Sequence, residues 1–167
     1  MSAIALIGAP GSGKSTLGPL LAQRLDVPFV DVDAVIEERE GRSIRDIFAD
    51  DGEDAFRALE ATVTLELLTG SGVVSLGGGA PLTPQIAEAL DGVPTVWLQV
   101  DAHHAVTRIG LDQGRPLLAG GGIRGTLIAL LKARTPVYAS LATVSVDTNG
   151  REPDALVDVI VAALEEA

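Results

Sequence analysis

The octapeptide Gly8-Ala9-Pro10-Gly11-Ser12-Gly13-Lys14-Ser15 constrains this chain more than any other stretch. It fits the phosphate-loop pattern G-x-x-x-x-G-K-[ST] at every fixed position. The apolar run 3–7 before it reads as a buried strand, and leucines at 17, 20, 21 and 25 after it fall at helical spacing. Strand, glycine loop and helix in that order form a polyphosphate cradle. Glycines let backbone N–H groups turn towards phosphate oxygens, and the helix start adds the positive end of its dipole. Gly11, Ser12, Gly13, Lys14, Ser15 and Thr16 are therefore expected to bind a nucleotide. Lys14 has the reach for the β- and γ-phosphates, and the Ser15 hydroxyl suits Mg²⁺.

The rest of the chain alternates apolar runs with helical periodicity. Strands are expected at 3–7, 28–30, 73–76, 95–100 and 143–146. Helices are expected at 14–25, 34–40, 44–49, 54–68, 84–90, 102–110, 125–139 and 154–164. This order predicts an α/β fold with a parallel sheet, and several strands lack alternation, as strands buried on both faces do. With 167 residues and 47% hydrophobic content, the chain is expected to form a single domain, 1–167. It has no cysteine, which excludes disulfides and thiolate metal sites. A net charge of -11 gives no electrostatic footprint for nucleic acid. No apolar run approaches a membrane span, and no basic leader precedes the first strand. The expectation is a cytoplasmic protein, free of membrane and nucleic acid, with nothing demanding more than a monomer.

Two glycine clusters interrupt the rhythm. Gly77-Gly78-Gly79 follows the third strand directly, and ligands in open α/β sheets bind beyond the carboxyl ends of strands. The stretch 111–123, with Arg115 inside it, lies between two helices and is expected to be a mobile lid. Lysine occurs only at 14 and 132, so an anionic substrate must rely mainly on arginines. Asp33 reads as the N-cap of helix 34–40, a role compatible with another. Arg57 and Glu60, at i,i+3 on a helix, could be a simple surface ion pair. Phe48 and Phe56 suit either a site wall or the core, and Trp97 reads as core. His103 and His104 are adjacent on a helix and face different ways, which argues against a shared metal.

The combination of the phosphate loop, Asp31-Val32-Asp33, Phe56-Arg57-Ala58-Leu59-Glu60, Ser75-Leu76-Gly77-Gly78-Gly79-Ala80, Arg115-Pro116-Leu117-Leu118 and Arg134-Thr135-Pro136-Val137-Tyr138 resembles the shikimate kinases, in order and spacing, over nearly the whole chain. The resemblance implies a three-layer phosphate-loop NTPase fold of the nucleoside-monophosphate-kinase type: a five-stranded parallel sheet flanked by helices, with a substrate-binding region at about 32–60 and a lid. It implies transfer of the ATP γ-phosphate to the 3-hydroxyl of shikimate, a step towards chorismate and the aromatic amino acids. Lys14, Asp33 and Arg115 would be catalytic. Asp33, Arg57, Gly77, Gly78, Gly79 and Arg134 would bind shikimate, with Glu60 holding Arg57. Arg108 and Arg151 would border adenine, although Arg108 could equally be a surface charge. Ser15 and Asp31 would support Mg²⁺, and the Ser75 hydroxyl could hold a magnesium-bound water or simply pack at the strand end. Another small-molecule kinase, such as a gluconate kinase, is the alternative.

Overall fold

The computed structural model describes residues 2–110 and 122–167. The expected lid, apart from its last two residues, and Arg115 lie outside the described residues.

Five strands form one sheet: β1 (Ala3–Ile7), β2 (Phe29–Asp31), β3 (Gly72–Ser75), β4 (Thr95–Gln99) and β5 (Val144–Asp147). All paired neighbours are parallel, in the order β2-β3-β1-β4-β5. The helices are α1 (Lys14–Leu25), α2 (Val32–Glu40), α3 (Ile44–Asp51), α4 (Glu53–Leu68), α5 (Pro84–Ala89), α6 (Ala102–Gly110), α7 (Ile123–Leu141) and α8 (Pro153–Glu166). None of the described helices is long and apolar enough to cross a membrane.

β1 shows why the sheet needs cover on both faces. Its side chains alternate, so Ala3, Ala5 and Ile7 join one core cluster while Ile4 and Leu6 join the other. On the Ile4 and Leu6 side, Leu17 and Leu21 of α1 pack with Leu156 and Ile160 of α8. On the opposite side, Ile36, Phe56, Val63, Ile86, Leu127 and Tyr138 bring in α2, α4, α5 and α7. β1 is buried along its whole length, which explains its unbroken apolar run.

The order also locates the ligand crevice. From β1 the chain crosses to β2 and β3 on one side, then returns to β4 and β5 on the other. Open α/β sheets bind ligands beyond the carboxyl ends of strands where the order reverses, which here is the end of β1. The phosphate loop leaves from that point.

Two local differences from the sequence reading matter. α2 begins at Val32 rather than 34, because its N-cap is Asp31 and not Asp33: the Asp31 side chain accepts hydrogen bonds from the Asp33 and Ala34 N–H groups. Capping needs an extended residue just outside the helix, and Asp31, with φ -105° and ψ 121°, has that backbone. Asp33 therefore lies in the first turn with its carboxylate released from capping. The second difference is a short 3-10 turn at Ala80–Leu82, which continues directly from the three glycines and carries Pro81.

Candidate active site

The donor half of the site is built from the loop after β1. Gly13 is the N-cap of α1 at φ 102°, a left-handed conformation that glycine adopts without steric cost. Glycine brings no capping side chain, so the first N–H groups of α1 remain for an anion. The Lys14 ammonium donates to the Gly8 carbonyl at 2.5 Å and to the Ala9 carbonyl at 3.3 Å, which holds it over the loop.

A cavity of about 400 Å³ runs from this loop to the start of α2 and the end of β3. Gly11, Ser12, Gly13, Lys14, Ser15, Thr16, Asp31, Asp33, Ser75, Gly77, Gly78 and Arg108 all border it. Ser75 is buried at the end of β3, in register with Asp31 of β2 and Leu6 of β1.

Arg108 is not a surface charge. Its guanidinium donates to the Gly11 carbonyl at 2.9 Å, to the Thr148 hydroxyl at 3.0 Å and to the Thr148 carbonyl at 2.7 Å. Thr148 is fully buried and donates its hydroxyl to the Gln99 carbonyl at 2.7 Å. One arginine thus ties the phosphate loop to the ends of β4 and β5. Arg151 is exposed and donates to the Asp147 carbonyl at 3.1 Å, outside the cavity border.

The three glycines after β3 organise the other half. A Cβ on Gly77 would stand 2.9 Å from Glu60 Oε2 and 3.1 Å from Asp33 Oδ1. One on Gly78 would stand 2.9 Å from Arg134 Nη1, and one on Gly79 would stand 2.8 Å from both terminal nitrogens of Arg57. A side chain at these positions would push the ends of Glu60, Arg134 and Arg57 aside and crowd Asp33, so the glycines let four charged side chains from α2, α4 and α7 close on one strip of backbone. The strip also meets the donor loop, since the same point on Gly78 lies 3.5 Å from the Gly8 carbonyl oxygen and from Pro10 Cδ.

Burial tunes these charges. Glu60 is 1% exposed and accepts from Arg57 at 2.9 Å, so the pair is not a surface ion pair. Burial pushes the Glu60 carboxyl above its ordinary value, against the pull of Arg57 and Arg134. Arg57 also lies 5.3 Å from the Phe56 ring centroid. Phe56 is core, and half-buried Phe48 packs on it with ring centroids 4.7 Å apart. Asp33 is pushed up to about 6, first by burial and then by the negative charges of Asp31 and Glu60, while Lys14 pulls it down. Its Oδ1 is buried without a hydrogen-bond partner among the described residues. A buried acceptor oxygen in that state calls for a donor such as a ligand hydroxyl.

Two residues in this network escaped the reading of the sequence for function. Thr148 gave no signal, being one polar residue after a strand. Tyr138 stood in a motif but without a role: its hydroxyl donates to the Gly78 carbonyl at 2.6 Å. Trp97 is core, as expected. His103 and His104 meet edge to face, and His104 Nδ1 lies 2.8 Å from Asp101 Oδ1.

Comparison with known proteins places this geometry in context. A family model described as shikimate kinase matches residues 10–165. A shikimate kinase of Thermobifida fusca (strain YX) is 48% identical over 163 residues, covering 97% of this chain and 94% of that protein. One from Mycobacterium avium (strain 104) is 51% identical over 160 residues, covering 95% of this chain and 91% of that protein. Among solved structures, shikimate kinase from Acinetobacter baumannii in complex with shikimate superposes with a TM-score of 0.93 at 33% identity, covering 99% of this chain and 94% of that one.

Proposed function

This chain belongs to the shikimate kinase family, and from that premise we propose how its own residues divide the work of moving the ATP γ-phosphate to the 3-hydroxyl of shikimate. The observation that carries the division is the glycine strip. It gathers one unpartnered buried carboxylate oxygen and two guanidinium groups beside a phosphate loop.

Phosphoryl transfer depends mainly on positioning and charge stabilisation. The N–H groups of residues 11–16 and Lys14 hold the β- and γ-phosphates of ATP. Arg108 keeps the loop in shape through the Gly11 carbonyl and borders the nucleotide, with Arg151 further out on the loop after β5. Asp33 accepts a hydrogen bond from the attacking hydroxyl, orients it, and takes its proton as the bond to phosphorus forms. Arg57 and Arg134 hold the acceptor carboxylate, since a guanidinium fork matches two carboxylate oxygens. Glu60 keeps Arg57 aimed, and the backbone of Gly77, Gly78 and Gly79 forms the floor. Arg115, outside the described residues, supplies a further cation over the transferring phosphate.

Mg²⁺ fits this donor set. Ser15 and Asp31 border the cavity with hard oxygens, and one Asp31 oxygen is already engaged in capping α2. A magnesium ion would be held there by the Ser15 hydroxyl and, through water, by Asp31, with phosphate oxygens completing its shell. When bound, it offsets the negative charge of the phosphates. The chain works as a single kinase unit in the cytoplasm.

Acceptor choice is tested by measuring ADP release with shikimate, gluconate or AMP offered separately. Turnover is expected with shikimate; turnover confined to gluconate or AMP would remove the assignment. The carboxylate clamp has its own test in Arg57→Ala. That change deletes charge-assisted hydrogen bonds worth about 1.5–3 kcal/mol and leaves buried Glu60 without its partner. Shikimate affinity is expected to fall by roughly 10–100-fold, with ATP affinity retained. Calorimetric titration giving the parent's shikimate affinity would refute the clamp.

A further inference from the structure

Tyr138 is the chain's only tyrosine, and it is 1% exposed. Its hydroxyl is committed to the Gly78 carbonyl, 60 residues away in sequence. Gly78 is the middle of the glycine strip and the glycine that faces Arg134. Arg134 lies one turn before Tyr138 on α7, on the same helix face. Burial raises the phenol above its ordinary value, and the positive charge of the nearby Arg134 guanidinium opposes this. The phenol holds the Gly78 carbonyl and the Arg134 guanidinium lies against the same glycine, so phenol, Gly78 and guanidinium form a short relay.

The helix alone is poorly suited to aim Arg134. Pro136 lies inside α7, between Arg134 and Tyr138, and a proline there has no N–H for the carbonyl four residues earlier. The turn carrying Arg134 thus lacks one rung of its ladder, and a tertiary contact must hold it. Tyr138 supplies that contact. Its ring is itself fixed by Trp97 of β4, with centroids 6.0 Å apart, and Trp97 pairs in register with Ile7 at the end of β1.

We propose that Tyr138 is a positioning residue for acceptor binding: by holding the Gly78 carbonyl and the Arg134 guanidinium together, it assembles that arm of the carboxylate clamp before the acceptor arrives. This rests on the reading of Arg134 as a clamp residue. The phenol touches neither substrate in this scheme and acts only through Arg134 and the glycine strip.

The test is a double-mutant cycle with Tyr138→Phe and Arg134→Ala, measured by calorimetric shikimate titration and by KM for each substrate. Phenylalanine keeps the ring against Trp97 and deletes only the hydroxyl. Tyr138→Phe is expected to weaken shikimate binding about tenfold, with KM for ATP changed by less than about twofold. In the Arg134→Ala background it is expected to add little, because the two changes break one relay. Unchanged shikimate binding in Tyr138→Phe, beside weakened binding in Arg134→Ala, overturns the inference and leaves the clamp intact. Unchanged binding in Arg134→Ala removes the clamp reading itself. Equal rises in both KM values would mark a merely structural role and also overturn it. A measurement on the parent protein needs no tyrosine variant: the Cζ resonance of isotope-labelled tyrosine reports Tyr138 alone. It is expected to shift on adding shikimate and to lose that shift in Arg134→Ala; a resonance indifferent to shikimate contradicts the relay.

Discussion

Asp33→Asn is expected to lower kcat by roughly 10²–10⁴-fold, the range a positioned acid–base group contributes, while making the unliganded protein more stable at neutral pH. The two effects have one cause. The Asp33 carboxyl titrates at about 6 instead of 3.8, because burial and the charges of Asp31 and Glu60 disfavour its ionised form. Above that value the folded protein carries a carboxylate whose charge is less well stabilised by its surroundings than in the unfolded chain. The unfolded chain ionises it freely, so ionisation weakens folding. As pH falls through about 6 towards 3.8, the folded state takes up a proton that the unfolded chain has not, and stability is regained. Asparagine removes this dependence. Its melting temperature should exceed the parent's by several degrees above about pH 7, for a difference on the order of 2 kcal/mol, and the gap should close near pH 4. Thermal melts across that range read it directly. The parent's kcat/KM for shikimate should lose activity on the acid side with a midpoint near 6, because only the ionised carboxylate can take the hydroxyl proton. A variant with near-parental kcat, or an equal melting gap at every pH, would contradict the role given to Asp33.

Lys14→Met is expected to reduce kcat by roughly 10²–10³-fold, comparable to the loss of one preorganised donor at a developing charge. Methionine preserves much of the stem and removes the ammonium. The cost to the fold is expected to be about 1 kcal/mol, since the partners lost include the Gly8 and Ala9 carbonyls and the Ser12 hydroxyl within the loop itself. Shikimate affinity measured without nucleotide should change by less than about threefold, since the carboxylate clamp is made elsewhere. A second readout ties this variant to the first. The Lys14 charge pulls the Asp33 carboxyl down, so its removal should move the acid limb of the residual activity above the parent's midpoint. Retained turnover, or an acid limb that stays in place, would sink the phosphate-contact role or the electrostatic link between the halves respectively.

The parts of the fold legible in the chain were those written in local periodicity. β1, α1 and α6 have the limits that the apolar spacing predicts, because a doubly buried strand and the helix after a glycine loop each leave a strong local pattern. β2 was harder. It is three residues long, none of them fully buried, and its end is marked by a cap rather than by hydrophobicity. Hence Asp33 read as the cap that Asp31 provides. Sequence spacing does not distinguish two aspartates flanking one valine; a backbone turning from extended to helical at Asp31 does.

The candidate site divides along the same line. The phosphate loop could be read at once, because its function lies in consecutive residues and their backbone conformation. Asp33, Arg57, Glu60 and Arg134 could be named only through a family likeness, since they come from three helices separated by long stretches of chain. Thr148 had no local signature and Tyr138 stood in a motif without a role, because their value lies in long-range hydrogen bonds, to Arg108 and Gln99 for Thr148 and to Gly78 for Tyr138.

By itself, the sequence determined the class of fold, the glycine loop between β1 and α1 and the scarcity of lysine beside ten arginines. The first two follow from nearest-neighbour chemistry and from periodicities of two and of 3.6 residues. The tertiary structure alone decided that three consecutive glycines after β3 would be the meeting place of Asp33, Glu60, Arg134 and Arg57. It also decided which aspartate would cap α2 and which would hold a buried oxygen with no partner among the described residues. Such choices depend on close packing between distant segments, where the absence of a Cβ on one strand of backbone determines how near four charges can come.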